Sequence, residues 1–291
     1  MANEESTTKR KAEDQEPRPK KTPKTKEDFI KHVNRLSLDD FMSLHASESS
    51  LQYTYKPRSK GRINPSDILA FDVRLKEVPG SNKGTTLAQT IKDAELEECF
   101  DLIKLTSEDA YRPSSFGWHP TRKKREMREQ DMRYLLVRRR HKEANSSPNE
   151  DDTKQQHAAP TPGPTSPDTA LPDEQTKWPI EGFASFMLTY EDGHPVVYIY
   201  EIHISPPLQN IGLGAHLLRV MESIGRSVGV DKAMLTVFRS NESGREFYRK
   251  VGYGVDKYSP KNVELRGGVV RQADYMIMSK WLREVEGGKQ R

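Results

Sequence analysis

Cysteine is nearly absent: Cys99 is the only one in 291 residues. A single thiol excludes an intrachain disulfide framework and a cysteine-rich metal site, and it fits a reducing compartment. Long apolar runs are missing as well. None approaches the roughly 18 residues of a membrane-spanning helix, and the charged N-terminus has no apolar segment of the signal-peptide kind. The expectation is a soluble, intracellular, metal-free protein. Charge of one sign is also scarce, since 47 basic and 43 acidic residues leave a formal +4. That excess is too small to argue for a nucleic-acid-binding surface. Apolar residues make up only 33% of the chain and charged residues 31%, so a good part of it lies outside any packed core.

Two segments account for that surplus. Residues 1–26 contain no aromatic residue, and their basic residues clump as Lys9-Arg10-Lys11 and Lys20-Lys21. This composition is that of a disordered basic tail. Nuclear import, polyanion docking and plain solubility all remain open for it. Residues 143–177 carry six prolines between Pro148 and Pro172 and almost nothing to bury, the pattern of a disordered insertion loop.

Elsewhere the periodicities are those of a folded domain. Thr25 and Asp28 form a helix-start pair ahead of Phe29, Ile30, Val33 and Leu36, giving a helix over 26–36. Residues 51–58 are rich in strand formers. A helix spans 87–111 with Leu96, Cys99, Phe100 and Ile103 on one stripe, and "YRPSSFGWHP" ends it. The charged run "RKKREMREQDM" is a solvated helical turn with no assigned role. Strands follow at 133–139, 182–192 and 196–205, the last two forming a hairpin around "GHP". A helix over 212–228 turns Leu217, Val220, Met221 and Ile224 inward. Then come a strand at 232–239, a helix capped by Asn241 and a last strand at 274–282. The insertion falls between two strands of one sheet. The expected organisation is therefore one α/β domain, built from 27–142 and 178–285.

The stretch "QNIGLGAHLL" follows a strand and opens a helix. A helix N-terminus offers unpaired N–H groups and a positive dipole end, which favour an anion. A Walker loop needs Gly-Lys-Ser/Thr where the chain has Gly-Ala-His, and a dinucleotide fingerprint needs glycine where Leu217 stands. Gln209, Gly212 and Gly214 instead match the Gln/Arg-x-x-Gly-x-Gly/Ala signature in register. Asn241, Tyr248 and Gly252-Tyr253 match a second motif, Asn…Tyr-x-x-x-Gly-Phe/Tyr. With both, the chain resembles the GCN5-related N-acetyltransferases. That resemblance implies a mixed α+β fold with a mostly antiparallel central sheet flanked by helices. It also implies acetyl-CoA as acetyl donor, with no metal. The donor would be held by the 209–215 turn (Gln209, Asn210, Ile211, Gly212, Leu213, Gly214, Ala215), by Asn241, and by the strand backbone at Ile202, His203 and Ile204.

Over residues 111–278 the likeness is to the D-type N-terminal acetyltransferases, through "YIYEIHI", "GLG", "MLTVFRSN" and "FGW". This resemblance implies transfer to the free α-amine of histones 4 and 2A, whose tails begin Ser-Gly-Arg-Gly. It implies substrate contacts from Tyr111, Trp118, Glu191, Tyr198, Tyr200, Thr236 and Tyr275, and catalysis by Glu201, Tyr200 and Tyr248. Nucleus and cytoplasm, a monomeric state, and docking to nucleosome or ribosome through the basic tail are the matching expectations. Two positions depart from that family: Phe116 stands for a tryptophan and Thr189 for an acid. The residues themselves permit a parallel reading. On a regular strand Val197, Ile199, Glu201 and His203 share one face, with Tyr198 and Tyr200 opposite; the resemblance implies a bulge in this strand, which would re-aim the tyrosines. A carboxylate among β-branched neighbours is a candidate base whose pKa desolvation would raise. A lysine or small-amine acetyltransferase, and a catalytically silent binding module, are the rival readings.

Overall fold

The computed structural model describes residues 26–58, 64, 67–80, 84–140, 178–264, 266 and 270–283. Thr25, most of the basic tail and the whole 143–177 insertion lie outside the described residues. The element order is α1 (Lys26–Asn34), α2 (Leu38–His45), β1 (Gln52–Tyr55), β2 (Leu69–Glu77), α3 (Asp93–Tyr111), α4 (Pro120–Glu126), β3 (Arg133–Arg139), β4 (Gly182–Glu191) and β5 (His194–Ile204). Then follow α5 (Leu213–Val228), β6 (Lys232–Phe238), α6 (Glu242–Lys250), β7 (Gly254–Val255), β8 (Val263–Glu264), β9 (Val270–Arg271) and β10 (Tyr275–Trp281).

One sheet runs β1-β2-β3-β4-β5-β6-β10-β7, antiparallel except for the β5–β6 pair, and β8–β9 forms a separate ribbon. The strands on either side of the insertion, β3 and β4, are neighbours in this sheet. The sheet separates two apolar cores. One lies under α1, α2 and α5 and takes Leu135, Val137, Ala184 and Phe186 from the strands. The other lies under α3 and takes Tyr134, Leu136 and Phe183. The alternation of odd and even residues between the cores follows from the two-residue period of a strand.

Local chemistry explains where the elements depart from the sequence reading. The helix expected from 87 begins at Asp93, because Ile91 N–H bonds Glu77 O at 2.9 Å and holds that segment against β2. The Lys92 N–H then donates to the Glu95 carboxylate, which caps the helix start. The hairpin turns at Asp192 and Gly193 (φ 49° and 85°), not at 193–195. Two successive positive φ values suit an Asp-Gly pair in a two-residue turn, so His194 and Pro195 fall within β5. Five elements, α2, β2 and the short β7, β8 and β9, were not anticipated. Strand β2 is visible afterwards in "LAFDVRLKE", whose Phe71, Val73 and Leu75 alternate into the α5-side core.

The largest departure is in β5. Pairing with β4 runs Ile199↔Phe186 and then Glu201↔Ser185, so Tyr200 is an extra residue, a β-bulge. The bulge reverses the facing of everything after it. Val197 and Ile199 sit in the α5-side core, and so do Ile202 and Ile204. Tyr200 and His203 pack with the α3 side, His203 against Phe183. The expectation that Ile199, Glu201 and His203 share a face is corrected: Tyr198, Tyr200, Glu201 and His203 come together instead.

Candidate active site

The β5–β6 ladder ends at Ile199↔Leu235, although β5 continues to Ile204 and β6 to Phe238. The strands therefore part, and a cavity of about 310 Å³ opens in the gap. Tyr111, Trp118, Tyr198, Tyr200, Thr236, Glu201, Ile202, His203, Asn241 and Tyr248 all line it, ten of the residues named from the sequence. Tyr248 packs against the α5-side core, whereas Trp118 and Tyr200 pack on the other side. The cavity thus draws its lining from both faces of the sheet.

On the α5 side the site offers donors. Ser205 N–H bonds Glu181 O at 2.9 Å. By the alternation of strand hydrogen bonds, His203 also points its backbone at β4, while Ile202 and Ile204 point theirs into the gap. The Gln209 amide donates to the Ile204 carbonyl at 3.1 Å, so this side chain clasps the start of the turn. Gly212 precedes α5 with φ 88° and no side chain caps the helix. The first intrahelical bond at this end is His216 N–H to Gly212 O, which leaves the N–H groups of Leu213, Gly214 and Ala215 facing outward among the described residues. Gly212 is needed for two reasons: its φ is left-handed, and an added Cβ would lie 2.7 Å from the Tyr53 hydroxyl. That hydroxyl itself bonds the Ile211 carbonyl. Gly214 is less constrained, with Phe247 3.4 Å from an added Cβ. Gly212→Ala is therefore expected to cost about 1–2 kcal/mol of stability, the scale of left-handed strain on a residue with Cβ. Gly214→Ala should cost little; denaturant unfolding of both variants checks the contrast. Asn241 Oδ1 accepts from Gly244 N–H at 2.8 Å and starts α6, and the residue lines the cavity.

The α3 side is an aromatic wall with charge behind it. Tyr111 meets Trp118 and Phe238, and Phe116 meets Phe238 and Tyr275, with ring centroids 4.9 to 5.9 Å apart. The Ser115 hydroxyl donates to Asp274 at 2.9 Å, tying this loop to the entry of β10. Tyr275 therefore supports the wall from behind and does not line the cavity. The hydroxyls of Tyr198 and Thr236 are 2.7 Å apart across the β5–β6 gap. Glu191 stands at the end of β4, outside the lining, and its carboxyl is raised by burial and by Asp192.

Glu201 is held in a network the sequence did not show. Its Oε1 accepts from Lys123 Nζ at 2.9 Å and its Oε2 bonds His203 Nε2 at 2.6 Å. Lys123 also reaches Tyr111 and Glu126, and His203 Nδ1 meets the Thr106 hydroxyl at 2.6 Å. The expectation of a carboxyl raised by desolvation fails. Burial does push Glu201 up, but the Lys123 ammonium and the His203 hydrogen bond pull it down to about 2. Burial pushes Tyr111 and Tyr200 up to about 12 and raises Tyr248 as well. Cys99 is fully buried, with its thiol raised by burial, so it offers no nucleophile. Lys123, placed on a solvated turn by the sequence reading, is 7% exposed. The missed signal was its spacing: Lys123 lies one helical turn before buried Met127, on the only face α4 can turn inward.

The model of the Acetyltransferase (GNAT) family matches residues 126–253, from the end of α4 through α6. Among solved structures, the chain is similar to a nourseothricin acetyltransferase (15% identity, TM-score 0.32, covering 53% of this chain and 66% of that one). It is similar to the ribosomal-protein-S18-alanine N-acetyltransferase of Escherichia coli (15% identity, TM-score 0.37, 69% and 96% covered). It is also similar to the PaiA N-acetyltransferase of Thermoplasma acidophilum in complex with coenzyme A (14% identity, TM-score 0.40, 72% and 99% covered). The matched segment holds the bulged strand, the glycine turn, the helix behind it and the Asn241–Tyr253 motif. Over residues 126–253 the chain therefore matches the Acetyltransferase (GNAT) family.

Proposed function

We infer that the protein transfers an acetyl group from acetyl-CoA to a free peptide α-amine, on tails of the Ser-Gly-Arg-Gly type borne by histones 4 and 2A. One observation carries the α-amine reading: the carboxylate and phenols at the centre of the cavity are all held far from neutrality. Glu201 sits at about 2, Tyr111 and Tyr200 at about 12, and both ring nitrogens of His203 are already engaged. An α-amine has a pKa near 8 and needs only about 1.4 kcal/mol to be neutral at pH 7, whereas lysine needs nearly 5. A site without a strong base favours the amine that arrives partly neutral.

The amine attacks the acetyl carbon directly in a ternary complex, displacing the coenzyme A thiolate as the new amide bond forms. Ile202 and Ile204 N–H groups face the gap where the thioester carbonyl develops negative charge. The Glu201 carboxylate faces the cavity and favours the positive charge growing on the amine nitrogen. Tyr248 lines the cavity from the coenzyme side and is kept protonated by its raised pKa, so it gives a proton to the departing thiolate and is restored by the one the amine nitrogen sheds as the amide forms. The substrate's arginine fits the acidic rim: Glu129, Glu191 and Glu126 all act on Tyr200, and Glu191 and Asp192 on Tyr198. Tyr198 and Tyr200, 5.2 Å apart, supply an aromatic floor for the first residues.

Two peptides with the histone 4 tail sequence test this, one with a free α-amine and one blocked, all lysines retained. Transfer to the free-amine peptide alone is expected. Equal transfer to both would establish a lysine acetyltransferase instead.

A further inference from the structure

Lys123 has no part in the function described so far, yet it sits at the centre of the buried network. An ammonium has three protons and no lone pair. All three are committed: to the Tyr111 hydroxyl at 2.9 Å, to Glu126 Oε1 at 2.7 Å and to Glu201 Oε1 at 2.9 Å. None remains for a ligand, and a lysine so held is no nucleophile. The count has a consequence for Tyr111. Its oxygen accepts from Lys123, which cannot accept in return, so the phenolic proton must point elsewhere. Tyr111 lines the cavity.

We propose that Lys123 is a positioning residue that makes the Tyr111 hydroxyl a donor directed into the cavity and fixes Glu201 as a carboxylate facing the same space. This rests on the acetyl-transfer reading and deepens it. An attacking amine must keep its lone pair for the acetyl carbon, so a donor hydroxyl beside it pairs with a carbonyl oxygen. An α-amine carries a carbonyl on the adjacent carbon; the ε-amine of lysine has none near it. Lys123 thereby adds to the preference for α-amines without touching the substrate.

The groups that face Glu201 are Lys123 and Glu126 from α4, Tyr111 from α3, Tyr134 from β3, His203 from β5 and Tyr248 from α6. Of these Lys123 alone is a permanent cation. Two measurements on the full chain test the proposal. In the first, kcat/KM for the free-amine peptide is measured for Lys123→Met, Tyr111→Phe and the double variant. Lys123→Met is expected to lose about tenfold to a hundredfold, the scale of a hydrogen bond to a charged group. Adding Tyr111→Phe should then cost less than about twofold, because the two residues act as one unit. Losses that multiply, or an unchanged Lys123→Met enzyme, would overturn the proposal. In the second, carboxyl-labelled glutamate is titrated by NMR. Lys123→Met should gain a step at least two pH units above the native position of Glu201, absent when Glu201→Gln is added. No such step would overturn it too. Should Lys123→Met not fold, Lys123→Met with Glu201→Gln removes both charges, and Tyr111→Phe should again add almost nothing in that background. A wild-type enzyme that acetylates lysines and not the α-amine would sink the substrate reading alone, and the titration would still judge Lys123.

Discussion

Glu201→Ala is expected to abolish acetyl transfer and also to weaken the fold, with Glu201→Gln separating the two effects. The carboxylate is 8% exposed and compensates Lys123, itself 7% exposed. Removing one member of a buried ion pair leaves the other uncompensated and costs about 3–5 kcal/mol. Glutamine keeps the shape: its oxygen can still accept from Lys123 and its amide N–H can donate to the facing His203 Nε2, so its loss of stability should be smaller. It lacks the negative charge that offsets the growing ammonium, so its kcat should still fall by about a hundredfold or more. The pH dependence carries a definite sign. The Glu201 carboxyl is lowered from 4.5 to about 2 on folding, so the native state holds it ionised more firmly than the unfolded chain does. Its contribution, about 3 kcal/mol at 1.36 kcal/mol per unit, is complete above pH 4.5 and is lost as the pH falls through 2. Denaturant unfolding of wild type and Glu201→Gln between pH 6 and 3 should show the difference shrinking with acid. A constant difference would mean that Glu201 is not the group stabilised by Lys123.

Arg133→Met is expected to give the largest loss of stability that leaves the catalytic cavity alone. Arg133 is 0% exposed at the start of β3. Its Nε donates to Glu77 and its Nη1 to Asn34, each at 3.0 Å, while its guanidinium lies 4.3 Å from the Phe41 ring centroid. Asn34 in turn donates to the Leu188 carbonyl at 3.0 Å, so one side chain joins α1, α2, β2 and β4. Methionine fills much of the volume but leaves the Glu77 carboxylate without its guanidinium. The expected cost is about 3–5 kcal/mol, or a fall in Tm on the order of 10 °C for a domain of this size. Pairing it with Glu77→Leu should restore most of that loss, because an apolar pair needs no desolvation repayment. None of these residues lines the cavity, so the KM for acetyl-CoA should hold. A loss under about 1 kcal/mol would show that the network is not under the load its burial implies.

Much of this molecule is written in local patterns. The glycine turn was legible because Gln209, Gly212 and Gly214 stand between a strand and a helix, and backbone donors at a helix start need no distant partner. The Asn241 cap, the inward stripe of α5 and the Asp192-Gly193 turn are local in the same way, although the turn lay one residue earlier than expected. Ten residues named from sequence do line one cavity, since six of them lie on the two strands that part and four on the segments folded over the gap. What the sequence could not determine is which way β5 faces after residue 199. A bulge depends on the register with β4, a pairing between strands that no property of "YIYEIHI" encodes, and one extra residue moved Glu201 and His203 to the other side of the sheet. Nor could it determine the charge state of Glu201. Burial alone predicts a raised carboxyl; the tertiary fold brings Lys123 from 78 positions away to within 2.9 Å, and Coulomb attraction at low dielectric outweighs desolvation. The sequence by itself determined the glycine turn and the helix it opens, because these rest on contacts between near neighbours along the chain. Only the tertiary structure decided the chemistry of the cavity, because that chemistry belongs to groups that meet only once the sheet has closed over them.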